Sequence, residues 1–196
     1  MTTTNREDWL NAAVSELRPF FGAVGKPLPA NVRVTCGFPS NAKRSGAIGE
    51  CWADTASADK TFEVLISPVL DDPTKVFEVL VHELCHATAG AMNHGVNFQR
   101  VGNLMHLAPS PTKAGWKATG QAATFASVYG EIIKSLDAYP HAALSMTTKK
   151  TQGTRMLKAS CPSCDYTVRL TAKWAFDPHG DPRLPICPCG DTLALV

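Results

Sequence analysis

The 196-residue chain, 21.0 kDa in mass, is long enough for one solid core and a small appended module. Its 44% hydrophobic and 18% charged residues form a globular balance that excludes a disordered chain, and its net charge of +2 is too small to mark a nucleic-acid partner by itself. No stretch reaches the roughly 18–20 consecutive apolar residues of a membrane span, and MTTTNREDWLNAAV lacks the basic-then-apolar order of a secretory signal, so a cytoplasmic protein with no membrane association is expected.

Residues 6–21 place Trp9, Leu10, Ala13, Val14 and Leu17 at helical spacing, with Glu7 and Asp8 early and Arg18 late, predicting an amphipathic first helix. Pro27 and Pro29 then mark a loop. Three β-type runs follow, VRVTCGF (32–38), AIGECWA (47–53) and TFEVLIS (61–67), and together they predict a small antiparallel sheet. Asp72-Pro73 signals a helix start, with Asp as N-cap and Pro in the first turn, and Gly90 signals its end. Val76, Phe77, Val79, Leu80, Val81 and Leu84 cover nearly every face of that helix, so it is expected at the centre of the molecule. Further helices are predicted from Asn97 to about Leu107 and from about Gln121 to Asp137, with Pro109, Pro111 and Gly115 in the loop between. Tyr139-Pro140-His141 closes the helical region, and MTTKKTQGTR (146–155) reads as a polar linker. What remains alternates like short strands around paired cysteines. The predicted class is α+β, divided as a main domain over 1–142, a linker over 143–155 and a small β domain over 156–196.

His82-Glu83-Leu84-Cys85-His86 is H-E-x-x-H on the predicted central helix. The i, i+4 spacing sets both imidazoles on one face, Cβ atoms about 5–6 Å apart, so both can reach one Zn²⁺. Glu83, one residue along, is angled toward a water and not toward the metal, which suits a general base. A catalytic zinc needs a third protein ligand and an open fourth position. His94 is the best candidate, because Asn93 and Gly95 beside it suit a chain folding back to the metal; His106 is the runner-up. The metzincin spacing fails, since its third His falls at Met92 and its glycine at Ala89. After Glu83 the next acidic residue is Glu131, which disfavours an acidic third ligand.

HELCHATAGAMNHGVNFQRV resembles the core of the SprT-like (Spartan-type) metallopeptidases: H-E-x-x-H, a variable loop, then His-Gly-x-x-Phe opening another helix, here His82, Glu83, His86, His94, Gly95 and Phe98. The order helix, three strands, metal helix and C-terminal cysteine cluster is also similar to bacterial members. The resemblance implies a minimal zincin-like fold and a peptidase acting on protein substrates on or near DNA, with Glu83 assisting attack by a zinc-activated water. The loop between His86 and His94 is short for such a family, which narrows the substrate groove or changes what enters it.

Seven cysteines in a cytoplasmic chain suggest metal or free thiols before disulfides. Cys36, Cys51 and Cys85 are apolar-flanked and are expected to be buried. Cys161-Pro-Ser-Cys164 and Cys187-Pro-Cys189-Gly190 read as a zinc ribbon, a closed structural site in which C-x-C replaces the usual second C-x-x-C and leaves His179 as a possible substitute ligand. One catalytic and one structural Zn²⁺ are therefore expected. Residues 1–142 carry 12 Lys and Arg against 13 Asp and Glu, a net of −1, whereas 143–196 carry 7 against 4, a net of +3. Lys149, Lys150, Arg155 and Lys158, followed by Tyr166, Arg169, Lys173 and Trp174, interleave cations with aromatics in a way that suits single- or double-stranded DNA. A zinc ribbon serves protein contacts as readily, and a solvated face over a small core explains the same residues. His141 and Tyr139 are candidates for stabilising an oxyanion. Two other functions fit these residues: a nucleic-acid-binding or transcription-associated adaptor with a structural zincin domain, and a zinc hydrolase of non-peptide amides. An intact Glu83 argues against the adaptor.

Overall fold

The computed structural model describes residues 5–111, 115–145 and 156–196. The chain divides into two compact units, Met1–Met146 and Thr147–Val196. The expected linker lies almost wholly in 146–155, outside the described residues, and so do Lys149, Lys150 and Arg155.

In the first unit, helix α1 (Arg6–Ala23) begins where the Asn5 side chain accepts a bond from the Asp8 amide at 2.8 Å, and it buries Trp9, Leu10, Ala13, Val14, Leu17 and Phe21. Strands β1 (Val32–Cys36), β2 (Gly49–Trp52) and β3 (Phe62–Ile66) form a three-stranded sheet, with a short helix α2 (Ala42–Ser45) between β1 and β2. The order is β1-β3-β2, with β1 parallel and β2 antiparallel to β3, which corrects the expected antiparallel sheet. Burial decides the order. β3 carries Val64 and Ile66, fully enclosed by the core, and takes the centre; β2 ends on the exposed Trp52 and takes the edge. Alternation along a strand tells which face is buried but not which strand lies alongside.

Helix α3 (Pro73–Ala89) is the buried centre. The Asp72 carboxylate accepts from the Lys75 amide at 2.7 Å, Pro73 sits in the first turn, and Gly90 ends the helix at φ 60°, a left-handed conformation that glycine enters without strain. It packs against β2, β3 and helix α4 (Val96–Leu104), and it touches α1 and helix α5 (Phe125–Ser135). Between α4 and α5 runs a hairpin that the sequence reading missed: β4 (Leu107–Pro109) pairs antiparallel with β5 (Thr119–Gln121). Both neighbouring helices are shorter than expected because this hairpin takes their ends. The His106 backbone turns at φ 59°, and its carbonyl accepts from the Ala122 amide at 2.9 Å. Two three-residue strands, one containing Pro and the other Gly, carry almost no strand signal.

In the second unit, β6 (Leu157–Ser160) lies between β7 (Thr167–Leu170) and β8 (Ala194–Leu195), antiparallel to both, with a short helix α6 (Ala172–Ala175) after β7. The whole is mixed α+β. Among the described residues, no helix is long and apolar enough to cross a membrane.

Candidate metal centres

His82, Glu83 and His86 lie in the second half of α3, Glu83 and His86 buried and His82 half-buried, and the chain after Gly90 brings His94 back to them. The return is fixed locally: the Asn93 side chain accepts from the Gly95 amide at 2.9 Å, and Gln99 donates to the His94 carbonyl at 2.8 Å. The His82 Nε2 then lies 3.2 Å from His86 Nε2 and 3.1 Å from His94 Nε2. Tetrahedral bonds of about 2.0–2.1 Å would set ligand nitrogens about 3.3–3.4 Å apart, so the cluster is close to the spacing one ion imposes. Three facing nitrogens cannot all satisfy one another by hydrogen bonds, whereas a cation among them satisfies all three. The residues fit a metal.

The opposite nitrogens of two of the rings have partners of their own. His86 Nδ1–H donates to the Ala91 carbonyl at 2.7 Å, which leaves Nε2 with a lone pair directed into the cluster. His82 Nδ1 meets Thr119 Oγ1 at 2.5 Å. Phe98, fully buried, packs its ring against all three imidazoles, tilted to each, at centroid distances of 4.9, 4.3 and 4.7 Å for His82, His86 and His94, and so fills the space behind them. Burial favours the neutral, ligating form of each ring. It holds His82 well below the ordinary imidazole range, with the neighbouring His86, His94 and Lys75 adding to it. It pushes His86 down to about 4 against the opposing bond to Ala91, and it lowers His94 as well.

Glu83 is the buried acid of the site. Its Oε1 is 4.0 Å from His82 Nε2, and burial, reinforced by the charge of Glu50, pushes its carboxyl up to about 8. A cation held by the histidines would lower it again and restore the basic form. Strand β2 passes directly over it: a Cβ on Gly49 would collide with Glu83 Oε1 and would sit 2.6 Å from Val79 Cγ1. Gly49 is therefore a residue of the site that the sequence reading missed. The cleft in front of the cluster has a volume of about 450 Å³ and is walled by Glu50, Cys51 and Trp52 of β2, by Ala53 and Ala56, and by Met92.

Several expectations need correction. Cys51 lines this cleft and Cys36 is only half-buried, so of the three scattered thiols Cys85 alone is enclosed. Tyr139 and His141 do not line the cleft; Tyr139 packs edge-on against Trp9 at 5.1 Å, and His141 bonds the Pro68 carbonyl at 2.7 Å. His106 stands outside the histidine cluster, with its Nδ1 2.8 Å from Thr124 Oγ1.

In the second unit the Sγ atoms of Cys161 and Cys189 lie 3.5 Å apart, those of Cys164 and Cys187 3.5 Å, and those of Cys164 and Cys189 3.6 Å. Four thiolates around one zinc at about 2.3 Å would be about 3.8 Å apart, and a disulfide would need about 2.05 Å, so the donor set and spacing suit a tetrahedral ion and not crosslinks. The C-x-C half closes because Gly190 turns at φ 101° and its amide bonds the Cys187 carbonyl at 2.8 Å. His179 is exposed and stands apart from the four sulfurs.

Lys158 and Arg169 are cross-strand neighbours on the polar face of β6–β7. Arg169 and Trp174 line one groove together with Arg183, which sequence reading did not single out. Trp174 is 68% exposed, with the Lys173 ammonium 5.4 Å from its ring centroid, so it is not a core aromatic. Tyr166 is exposed too, outside the lining of that groove.

No protein-family model, no curated protein and no solved structure matches this chain.

Proposed function

We propose that the first unit is a zinc metallopeptidase of SprT-like type, cleaving proteins on or near DNA, with His82, His86 and His94 holding the metal and Glu83 as general base. The observation that carries the reading is the convergence of three imidazoles at the floor of a cleft, with the buried Glu83 carboxyl 4.0 Å from one of them. Zinc held there supplies Lewis acidity, activating a water and polarising a carbonyl. Glu83 takes the proton of the attacking water and passes it to the leaving amine. Phe98 fills the space behind the imidazoles.

Strand β2 explains why a polypeptide would lie there. Its far edge has no strand partner among the described residues, so an extended substrate can add to it and run past Glu83. A second hollow of about 350 Å³, lined also by Ser57, Glu63 and Leu65, shares Trp52 and Ala56 with the cleft. This favours a peptide over a small amide.

The second unit holds a structural zinc on Cys161, Cys164, Cys187 and Cys189. Its groove of Arg169, Arg183 and Trp174 supports the DNA side of the reading, cations for phosphate and an open aromatic for stacking. The same groove favours the rival, a nucleic-acid-binding adaptor without catalysis. One experiment separates them: metal content together with casein or histone cleavage, with and without single-stranded DNA, for the full chain and for a version ending at Ala142. Two zinc ions per full chain and metal-dependent cleavage are expected. DNA binding without cleavage by zinc-loaded protein would leave the adaptor.

A further inference from the structure

We propose that the β4–β5 hairpin sets how tightly the histidine site holds its metal, with Thr119 as the positioning residue for His82 and Gln121 as the pin that fixes the hairpin in register. The inference rests on the metal reading of the three histidines and not on the peptidase reading.

Two periodicities match across the contact. Glu78 and His82 are one turn apart on α3, about 6 Å along one face, while Thr119 and Gln121 are two apart on β5, about 6.8 Å along one face. Both bonds form together: His82 Nδ1 with Thr119 Oγ1 at 2.5 Å, and Gln121 Nε2 donating to Glu78 Oε2 at 3.0 Å. The other Glu78 oxygen takes the Lys75 ammonium at 2.5 Å, so this buried carboxylate is engaged at both oxygens. A slip of one residue would turn Thr119 to the opposite face and leave Glu78 short of a partner. At the loop end of the hairpin, Trp116 packs on α4. A Cβ on Gly102 would fall 3.1 Å from the Trp116 indole, whose ring centroid is 6.0 Å from that of Phe98, the residue packed against all three imidazoles. The hairpin segment thus reaches the cluster directly through Thr119 and indirectly through Phe98.

The chemistry follows from the tautomer. With Nε2 free for a metal, His82 carries its proton on Nδ1 and donates it to the Thr119 hydroxyl oxygen, which orients the ring and raises the basicity of Nε2. His86 has a backbone carbonyl for the same task, which substitution cannot remove. Thr119 meets the His82 Nδ1 through a side chain, so it is where affinity can be tuned.

The test uses full-length protein, with zinc affinity of the histidine site measured by chelator competition. Thr119→Val keeps the shape and removes the oxygen; Thr119→Ser keeps the oxygen; Gln121→Leu removes the pin. Thr119→Val should weaken zinc at the histidine site about 10- to 100-fold, Gln121→Leu should shift it in the same direction by less, and Thr119→Ser should restore it. The zinc of the cysteine site should not move, while the melting temperature of the metal-free first unit should fall for Gln121→Leu, which leaves the buried Glu78 carboxylate short of a partner, and change less for the two Thr119 variants. Unaltered zinc affinity in folded Thr119→Val would overturn the inference, and so would an equal loss in Thr119→Ser. A wild-type chain whose only zinc sits on the cysteines would overturn the metal reading and this inference with it.

Discussion

The candidate ligands of the first unit hang from a scaffold that is buried without them: α3 lies among α1, α4, α5 and the sheet, and its core of Phe77, Leu80, Val81 and Leu84 owes nothing to the histidines. In the second unit two of the four candidate ligands are themselves part of the core. Cys161 and Cys187, with Ala159 and Leu193, make up its buried cluster. One site is a tool mounted on a fold, open on one side to a cleft; the other is a staple, with four sulfurs facing one another. Metal should therefore matter to chemistry in the first and to folding in the second.

The largest effect that would break this contrast is on the fold. Stripping both metals with a strong chelator should unfold residues 156–196, because structural zinc is worth about 10–16 kcal/mol of apparent binding free energy to such a module. Residues 5–145 should keep their helical signal and resist protease. The open histidine site should release its metal first. Limited proteolysis with far-UV circular dichroism measures both halves, and survival of the tail without metal would undo the contrast.

Next in size is the loss of activity. Glu83→Gln should lower cleavage by about 10²- to 10⁴-fold, the usual share of a general base, while both metals stay bound because Glu83 is not a ligand. His86→Ala should lose the metal of the first site as well. Wild-type turnover in Glu83→Gln would rule out the proposed mechanism.

A smaller effect sharpens the picture of the cleft. Gly49→Ala adds a methyl against Glu83 and Val79 where there is no room, an overpacking that costs about 1–3 kcal/mol and displaces the base. Activity should fall about tenfold in folded protein. Zinc affinity should hold, since no ligand is touched. A variant with wild-type kcat would mean that β2 does not press on Glu83.

How much of this could be read from residues alone depended on whether the signal was local. His82, Glu83 and His86 lie at helical spacing between an Asp-Pro start and a Gly stop, so their shared face was legible. His94 was legible as a candidate because Asn93 and Gly95 advertise a turn. Thr119 was not, because its strand has three residues and its partner lies 37 positions away in the chain. Gly49 was hidden for a similar reason: only the approach of an edge strand to α3 shows that a side chain there would strike Glu83. The sheet order was illegible too, since alternation in VRVTC and FEVLI reports a buried face and is silent on neighbours. In the tail, C-x-C left His179 open as a ligand until the turn at Gly190 drew four sulfurs together.

The smallest effect concerns the charged groove of the tail, and it bears on whether the second unit does more than hold itself together. Arg169 and Arg183 line that groove with Trp174, in the C-terminal segment 143–196 with net charge +3. If this groove takes single-stranded DNA, each arginine that meets a phosphate releases a counterion. Arg183→Ala should then flatten the slope of log affinity against log salt by about 0.7 and weaken binding uniformly across sequences. Trp174→Ala should act differently: it should cost about 1–3 kcal/mol by loss of stacking and leave the salt slope unchanged. Neither variant touches a sulfur or the buried cluster, so the cysteine site should keep its metal in both, which separates a lost contact from a lost fold. Fluorescence anisotropy with a short labelled oligonucleotide at several salt concentrations gives both readouts. Equal slopes and affinities in wild type, Arg183→Ala and Trp174→Ala would remove this groove from DNA binding and leave the second unit as a protein-contact module.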